Sequence, residues 1–319
     1  MRDSRFSTSR SKTVEPKESP MPSREMQEFI AGFERRRANR PATRPSIEEM
    51  RANFLPAGKR YDLPEDVRVS EVSAAGVPAY WVDAPGVATD RVLVYVHGGG
   101  FTLGSLASHG ELAARLGRAA GVRVLFPEYR LVPEHPFPAA GEDIGALWRW
   151  LREEQGLPAS SIALAGDSAG ANLIASLLLA LRDAGAELPA AAVLLSAVTD
   201  LTGSGASMTE RDGQDPIFTP AMINGISAEY LAGADPRNPA ASPLFGDLTG
   251  LPPLLVQVGS AELVLSDSER FAASARTAGV EVTLNVGDGL PHFYVSMRET
   301  PEAAAATDEI AEFLRKHLG

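Results

Sequence analysis

Apolar residues in this chain fall into two patterns. The first is the short unbroken run: Val92-Leu93-Val94-Tyr95-Val96, Val122-Arg123-Val124-Leu125-Phe126, Ile162-Ala163-Leu164-Ala165, Ala191-Ala192-Val193-Leu194-Leu195, Leu254-Leu255-Val256-Gln257-Val258 and Val280-Glu281-Val282-Thr283-Leu284. Such runs are expected of strands whose sheet is covered by helices on both faces. Val67-Arg68-Val69 and Val77-Pro78-Ala79-Tyr80-Trp81-Val82 read as edge strands, the proline lying at an edge or a strand start. The second pattern is helical. Residues 24–37 and 46–53 carry Met, Phe, Ile or Leu at spaced positions, and Leu112-Ala113-Ala114-Arg115-Leu116 opens another helix. Ile144, Leu147, Trp148 and Leu151 mark an i, i+3, i+4, i+7 face. Ser266 with Glu269 reads as a capping box. The stretch from Pro301 has its proline in the first turn and apolar Ile310, Phe313 and Leu314 further on. Strand–helix alternation predicts an α/β fold with a mostly parallel eight-stranded sheet.

Residues 203–233 interrupt that rhythm. A Gly- and Ser-rich loop leads into a helix-like stretch over 219–231. We read it as an insertion near the carboxyl edge of the sheet, where ligands bind in open α/β sheets. With the N-terminal helices it is expected to form a lid.

Composition narrows the class. The chain has 319 residues, 44% of them hydrophobic, enough for a sizeable core. No apolar run reaches the roughly 18 residues of a membrane span. Residues 1–24 are polar and basic, rich in Ser, Thr, Lys, Pro and Glu, with no apolar stretch behind them. This reads as a disordered tail over 1–23 and not as a secretory signal. Cysteine is absent, which excludes disulfides and thiolate metal sites and fits a cytoplasmic protein. A net charge of −11 argues against nucleic acid or anionic membranes as partners.

The candidate chemistry sits at strand ends. Gly166-Asp167-Ser168-Ala169-Gly170 follows one apolar run and precedes Asn172-Leu173-Ile174-Ala175. Strand, G-x-S-x-G, helix is the pattern of a nucleophile elbow, a turn too tight for side chains beside the serine. His97-Gly98-Gly99-Gly100 directly follows another run. Bare glycine amides can converge on one oxygen, and acyl transfer needs such donors for its oxyanion. The expected donors are the N–H groups of Gly98, Gly99 and Ala169, with His97 as a structural anchor. Of the five histidines, His292 and His317 follow Ser168 with an acid between, the order of hydrolase triads. His317 lies near the end of a helix, where it suits the dipole. His292, in Gly287-Asp288-Gly289-Leu290-Pro291-His292-Phe293, follows the last strand and is the candidate base. Spacing leaves three candidates for the acid. Glu262 at a strand exit is preferred, Asp267 fits the first turn of the next helix, and Asp288 shares the His292 loop.

Together these marks resemble the hormone-sensitive lipase family of α/β-hydrolases, in its bacterial esterase branch. The resemblance rests on His97-Gly98-Gly99-Gly100-Phe101, Tyr129-Arg130-Leu131-Val132-Pro133-Glu134-His135-Pro136-Phe137-Pro138-Ala139-Ala140, Gly166-Asp167-Ser168-Ala169-Gly170 and Ser242-Pro243-Leu244, and it extends from about residue 67 to the end. It implies an α/β-hydrolase fold with a helical cap, carboxylesterase activity on short acyl esters and no cofactor. It also implies structural roles for His135 and for 129–140. Members often carry Asp-Pro-Leu where this chain has Glu262-Leu263-Val264, which keeps the acid open. The expected organisation is cap helices over 24–60, a catalytic domain from 61–202 and 234–319, and a cap insertion over 203–233. Phe101, Met222, Ile223 and Tyr230 are expected to line the substrate pocket, with Ile226 beside them, unless they serve as packing.

The function expected is hydrolysis of short to medium acyl esters by Ser168, His292 and Glu262 through an acyl-enzyme. A deacetylase or lyase of one metabolite could use the same site. A binding protein on a degenerate hydrolase scaffold is disfavoured because the triad histidine is present. The expected partner is a small-molecule ester, and a homodimer through the last strand and helix is a family habit that no residue here reveals.

Overall fold

The computed structural model describes residues 21–39 and 45–319. The chain opens with α1 (Arg24–Ala38) and α2 (Ile47–Ala52), followed by β1 (Arg68–Ala74), β2 (Val77–Asp83) and β3 (Ala88–Val96). Helices and strands then alternate: α3 (Leu106–Ala120), β4 (Val122–Pro127), α4 (Ala139–Arg149), β5 (Ile162–Asp167), α5 (Ala169–Asp183) and β6 (Ala191–Leu195). The expected insertion holds α6 (Ser207–Glu210) and α7 (Pro220–Leu231). Then come β7 (Leu254–Gly259), α8 (Leu265–Thr277), β8 (Val282–Gly287) and α9 (Pro301–Leu318).

All eight strands form one sheet in the order β1-β2-β4-β3-β5-β6-β7-β8. β2 runs antiparallel to both its neighbours, and every pairing from β4 to β8 is parallel. This is the α/β-hydrolase architecture. The unbroken apolar runs are explained by two cores. Alternate strand residues such as Val94, Leu164, Leu194 and Val256 face α4, α5 and α8, where Leu147, Ile174, Leu178 and Phe271 are buried. The residues between them, Leu93, Tyr95, Val193 and Leu255 among others, face α1, α3 and α9 through Met26, Leu116, Ile310 and Leu314. Each such aliphatic side chain, fully buried, stabilises the fold by roughly 1.5–3 kcal/mol before entropy is charged against it.

Four expectations need correction. β2 is not an edge strand: β1 takes the edge, and β2 pairs with β1 on one side and β4 on the other. Pro78 is tolerated because the β4 ladder begins only at Ala79, opposite Pro127. β8 starts two residues later than its apolar run, because Val280 closes the end of α8 by donating its N–H to Ala275 O at 3.0 Å. The capping box at Ser266 does not form. α8 begins at Leu265, and Ser266 instead exchanges hydrogen bonds with Ser207 of α6, N to Oγ in both directions at 2.9 and 3.0 Å. The tail expected over 1–23 lies outside the described residues as far as residue 20, but 21–23 are part of the fold. Ser23 caps α1, and its N–H and hydroxyl donate to the Glu302 carboxylate of α9 at 2.6 and 2.8 Å.

Candidate active site

The sheet ends its parallel strands at one rim, and Ser168 stands on it between β5 and α5. Its backbone has φ 51° and ψ −114°, a left-handed conformation that a side chain rarely adopts. The flanking glycines make this turn possible. A Cβ on Gly170 would lie 2.0 Å from Val96 O, and one on Gly166 would lie 2.6 Å from the same oxygen. The elbow therefore presses directly on the end of β3. The Ser168 N–H donates to Leu195 O at the end of β6, at 2.8 Å, which ties the serine to the neighbouring strand.

The next residue of that strand end, Ser196, carries the other half of the site. Its hydroxyl donates to Glu262 Oε1 at 2.8 Å and accepts from the N–H of Phe293 at 2.9 Å. Glu262 is fully buried, and its Oε1 also accepts from Gly259 N–H at 2.5 Å. Its Oε2 meets His292 Nδ1 at 2.7 Å. The imidazole is 7% exposed and has the edge of Phe218 against it. Burial by itself lowers the His292 pKa. The Glu262 carboxylate outweighs it through charge and hydrogen bond, with Asp215 and Asp167 adding charge, and the net direction is upward from 6.5. Ser168 and His292 are thus moored to consecutive residues, Leu195 and Ser196.

The three candidate acids separate by geometry. Glu262 holds the imidazole. Asp267 is buried elsewhere, accepting from the N–H groups of Thr199 and Asp200 at 2.9 and 3.0 Å, and burial pushes its pKa up to about 7. Asp288 is exposed and accepts from Ser260 Oγ at 3.2 Å. His317 lies against Phe313 of its own helix, and His135 is exposed.

The glycine loop corrects one expected donor. Gly98 N–H is already committed: it donates to Asp167 Oδ1 at 2.9 Å, on the elbow itself. Asp167 also accepts from Tyr95 Oη at 2.8 Å and lies 3.6 Å from His109 Nε2. Burial raises the pKa of this carboxyl, but His109, Tyr95 and Gly98 together hold it below its ordinary value. Gly99 and Gly100 follow at φ 113° and 62°, and their N–H groups donate to no acceptor among the described residues. Ala169, as the first residue of α5, has no intrahelical partner for its own N–H. Gly100, which sequence reasoning passed over, is therefore available where Gly98 is not. Only the side chain across the elbow decides this, and spacing along the chain does not display it.

The loop is braced all round. His97 is fully buried, its ring stacked on Tyr129 with centroids 4.4 Å apart and its Nδ1 2.8 Å from Gly98 O. Burial pushes its pKa down to about 3, so it is a neutral spacer, in keeping with the structural role expected. Tyr129 Oη donates to His97 O at 2.7 Å, and Val132 N–H to Phe101 O at 2.9 Å. Arg51 of α2 donates to Thr102 O and Val132 O, at 3.0 and 2.9 Å, while it pairs with Glu134.

The expected pocket residues do not share one surface. Phe101 and Tyr230 are buried face to face with centroids 3.6 Å apart. Ile223 is buried in a separate cluster with Met208, Leu263 and Val264, and Met222 is half-buried. Ile226, on the same helix, covers the loop: a Cβ on Gly100 would come within 3.1 Å of it. Among the described residues no three His, Asp or Glu side chains are grouped to hold a metal ion, and no helix is long and apolar enough to cross a membrane.

Comparison with known proteins bears on the family and the fold. Residues 93–296 match a family described as having the alpha/beta hydrolase fold. An acetyl-hydrolase of Streptomyces hygroscopicus is 45% identical over 249 residues, covering 78% of this chain and 83% of that one. Carboxylesterase NlhH of Mycobacterium tuberculosis is 34% identical over 290 residues, covering 85% and 90%. The crystal structure of an esterase from the bacterial hormone-sensitive lipase family superposes with a TM-score of 0.89 at 41% identity, over 94% of this chain and all of that one.

Proposed function

The chain belongs to the α/β-hydrolase fold family, among the bacterial hormone-sensitive lipase esterases, and hydrolyses carboxylic esters; from that premise we propose that it cleaves short to medium acyl esters through Ser168, His292 and Glu262. The observation that carries the reading is the buried 2.7 Å contact of His292 Nδ1 with Glu262, whose partner Ser196 directly follows Leu195, the residue that holds the N–H of the strained Ser168. With Nδ1–H held by the carboxylate, Nε2 is left to take the proton of the Ser168 hydroxyl. The serine oxygen attacks the acyl carbon, and the amides of Gly99, Gly100 and Ala169 receive the oxyanion. His292 then returns the proton to the leaving alcohol. Water, activated by the same imidazole, releases the acid and restores the enzyme.

In this reading 24–60 and 203–233 form a cap over a catalytic domain of 61–202 and 234–319. Three contacts support it: Phe218 on His292, Ile226 over Gly100, and Arg37 of α1 donating to Asp215 O of the insertion. The name of the Streptomyces relative favours a second reading, a deacetylase of one acetylated metabolite at the same site.

Two measurements test the proposal. A fluorophosphonate probe followed by peptide mapping should place one label per chain on Ser168, and a labelled protein with its serine unmodified contradicts the mechanism. A panel of p-nitrophenyl esters from acetyl to octanoyl, set against acetylated metabolites, separates the two readings by kcat/KM.

A further inference from the structure

One buried carboxylate near the base is left unused by this mechanism. Asp215 lies between α6 and α7 and is 1% exposed. Its Oδ1 accepts from the N–H groups of Ile217 and Phe218, at 2.8 and 3.0 Å, and so closes a tight turn. Its Oδ2 accepts from the N–H of Leu263 at 3.0 Å. Leu263 is the residue after Glu262. The same turn sets Phe218 edge-on to His292, with centroids 5.0 Å apart and planes at 88°. On the far side Arg37 of α1 donates to the Asp215 carbonyl.

A buried aspartate closing its own turn is commonplace. Asp215 does more than that in two respects. Its second oxygen crosses to a loop 48 residues away and grips the acid's neighbour. Its charge is also uncompensated: among the described residues no Lys or Arg forms an ion pair with the carboxylate, whose donors are all backbone N–H groups. The charged groups facing His292 are Glu262 from the turn after β7, Asp167 from the end of β5 and Asp215 from the insertion, and all three favour its protonated form.

We propose that Asp215 is a positioning residue for His292: it fixes the Glu262 turn and the Phe218 ring on two sides of the imidazole and lends a further buried negative charge to the imidazolium that acyl transfer creates. The cap would then take part in proton transfer as well as in covering the site. This inference rests on His292 being the base.

The test is the pH dependence of kcat/KM for p-nitrophenyl acetate. Wild type should show an acidic limb above 6.5, the ordinary imidazole value. In Asp215→Asn the imidazolium loses a stabilising charge, so the limb should move to lower pH by roughly half a unit to one unit. kcat should fall by about tenfold with KM within about twofold. Phe218→Leu keeps the charge and should lower kcat with the limb unmoved. A limb in Asp215→Asn that coincides with wild type overturns the proposal, whatever happens to kcat, because a turn residue alone would not move it. Asp215→Ser is a second neutral variant with the same expectation. If neither folds, Asp215→Glu decides: a limb at the wild-type position supports the proposal, and a drop of about half a unit or more contradicts it. A wild-type enzyme with no acidic limb refutes His292 as base instead, which separates the two failures.

Discussion

At the scale of single residues, the acid gives the sharpest test. Glu262→Gln keeps the shape but no longer holds the Nδ1 proton or the imidazolium, so kcat should drop by on the order of 10³–10⁴. Asp267→Asn should leave kcat within a few-fold, since the Asp267 carboxylate accepts from the amides of Thr199 and Asp200 in the loop after β6, whereas His292 is held by Glu262. Steady-state kinetics on one p-nitrophenyl ester measures both, and the reverse outcome moves the acid. Asp167 is the second residue-scale case. Its Oδ1 fixes Gly98, one peptide before the proposed oxyanion donors. Asp167→Asn should lower kcat by about 10–100-fold with KM little changed, the pattern of a disturbed oxyanion hole. These two residues also mark what could be read in advance. Ser168, Glu262 and His292 could be picked out as candidates because each follows the end of a strand, and strand ends show as ends of apolar runs. The role of Gly98 was misread because it depends on a carboxylate 69 residues away. Asp215 was silent for the same reason, since its partner Leu263 is met only in space.

At the scale of elements, the periodic signal carried most of the fold, and its failures have local causes. Val77-Pro78 looked like an edge because proline cannot donate to a ladder, and here Pro78 pairs with Ser73 of β1 while the ladder to β4 starts only at Ala79. Ser266 and Glu269 had capping spacing, but a tertiary partner, Ser207, claimed the serine. Short α2 shows how an element without a core face is held. None of its residues is buried, yet Arg51 reaches two loop carbonyls and pairs with Glu134 at 2.7 Å. Charge-assisted bonds of this kind are the stronger ones. Arg51→Ala should therefore lower the unfolding midpoint by about 2–4 °C. It should also raise KM, because α2 braces the turn that follows the glycine loop. Differential scanning calorimetry and kinetics measure the two effects, and a variant unchanged in both would show that α2 is not coupled to the site.

At the scale of the whole molecule, the protein places strain and buried charge at one rim of its sheet and tolerates their cost. Asp267 gives a global measure of that cost. Its pKa is pushed up to about 7 from 3.8, so the folded state prefers the protonated form. The associated stability is fully present below 3.8 and is lost as pH rises through about 7. Asn cannot ionise, so the stability of Asp267→Asn relative to wild type should improve between pH 5 and pH 8 by roughly 2–3 kcal/mol, read from urea midpoints at each pH. A gap that stays constant with pH would mean that Asp267 is ionised in the fold throughout. The central claim is that one serine, raised on the elbow, forms the acyl-enzyme. Its most direct measurement is ester turnover by purified Ser168→Ala with its fold checked by circular dichroism: kcat/KM on p-nitrophenyl acetate should fall by about 10⁴-fold or more, and a variant within tenfold of wild type would contradict the claim.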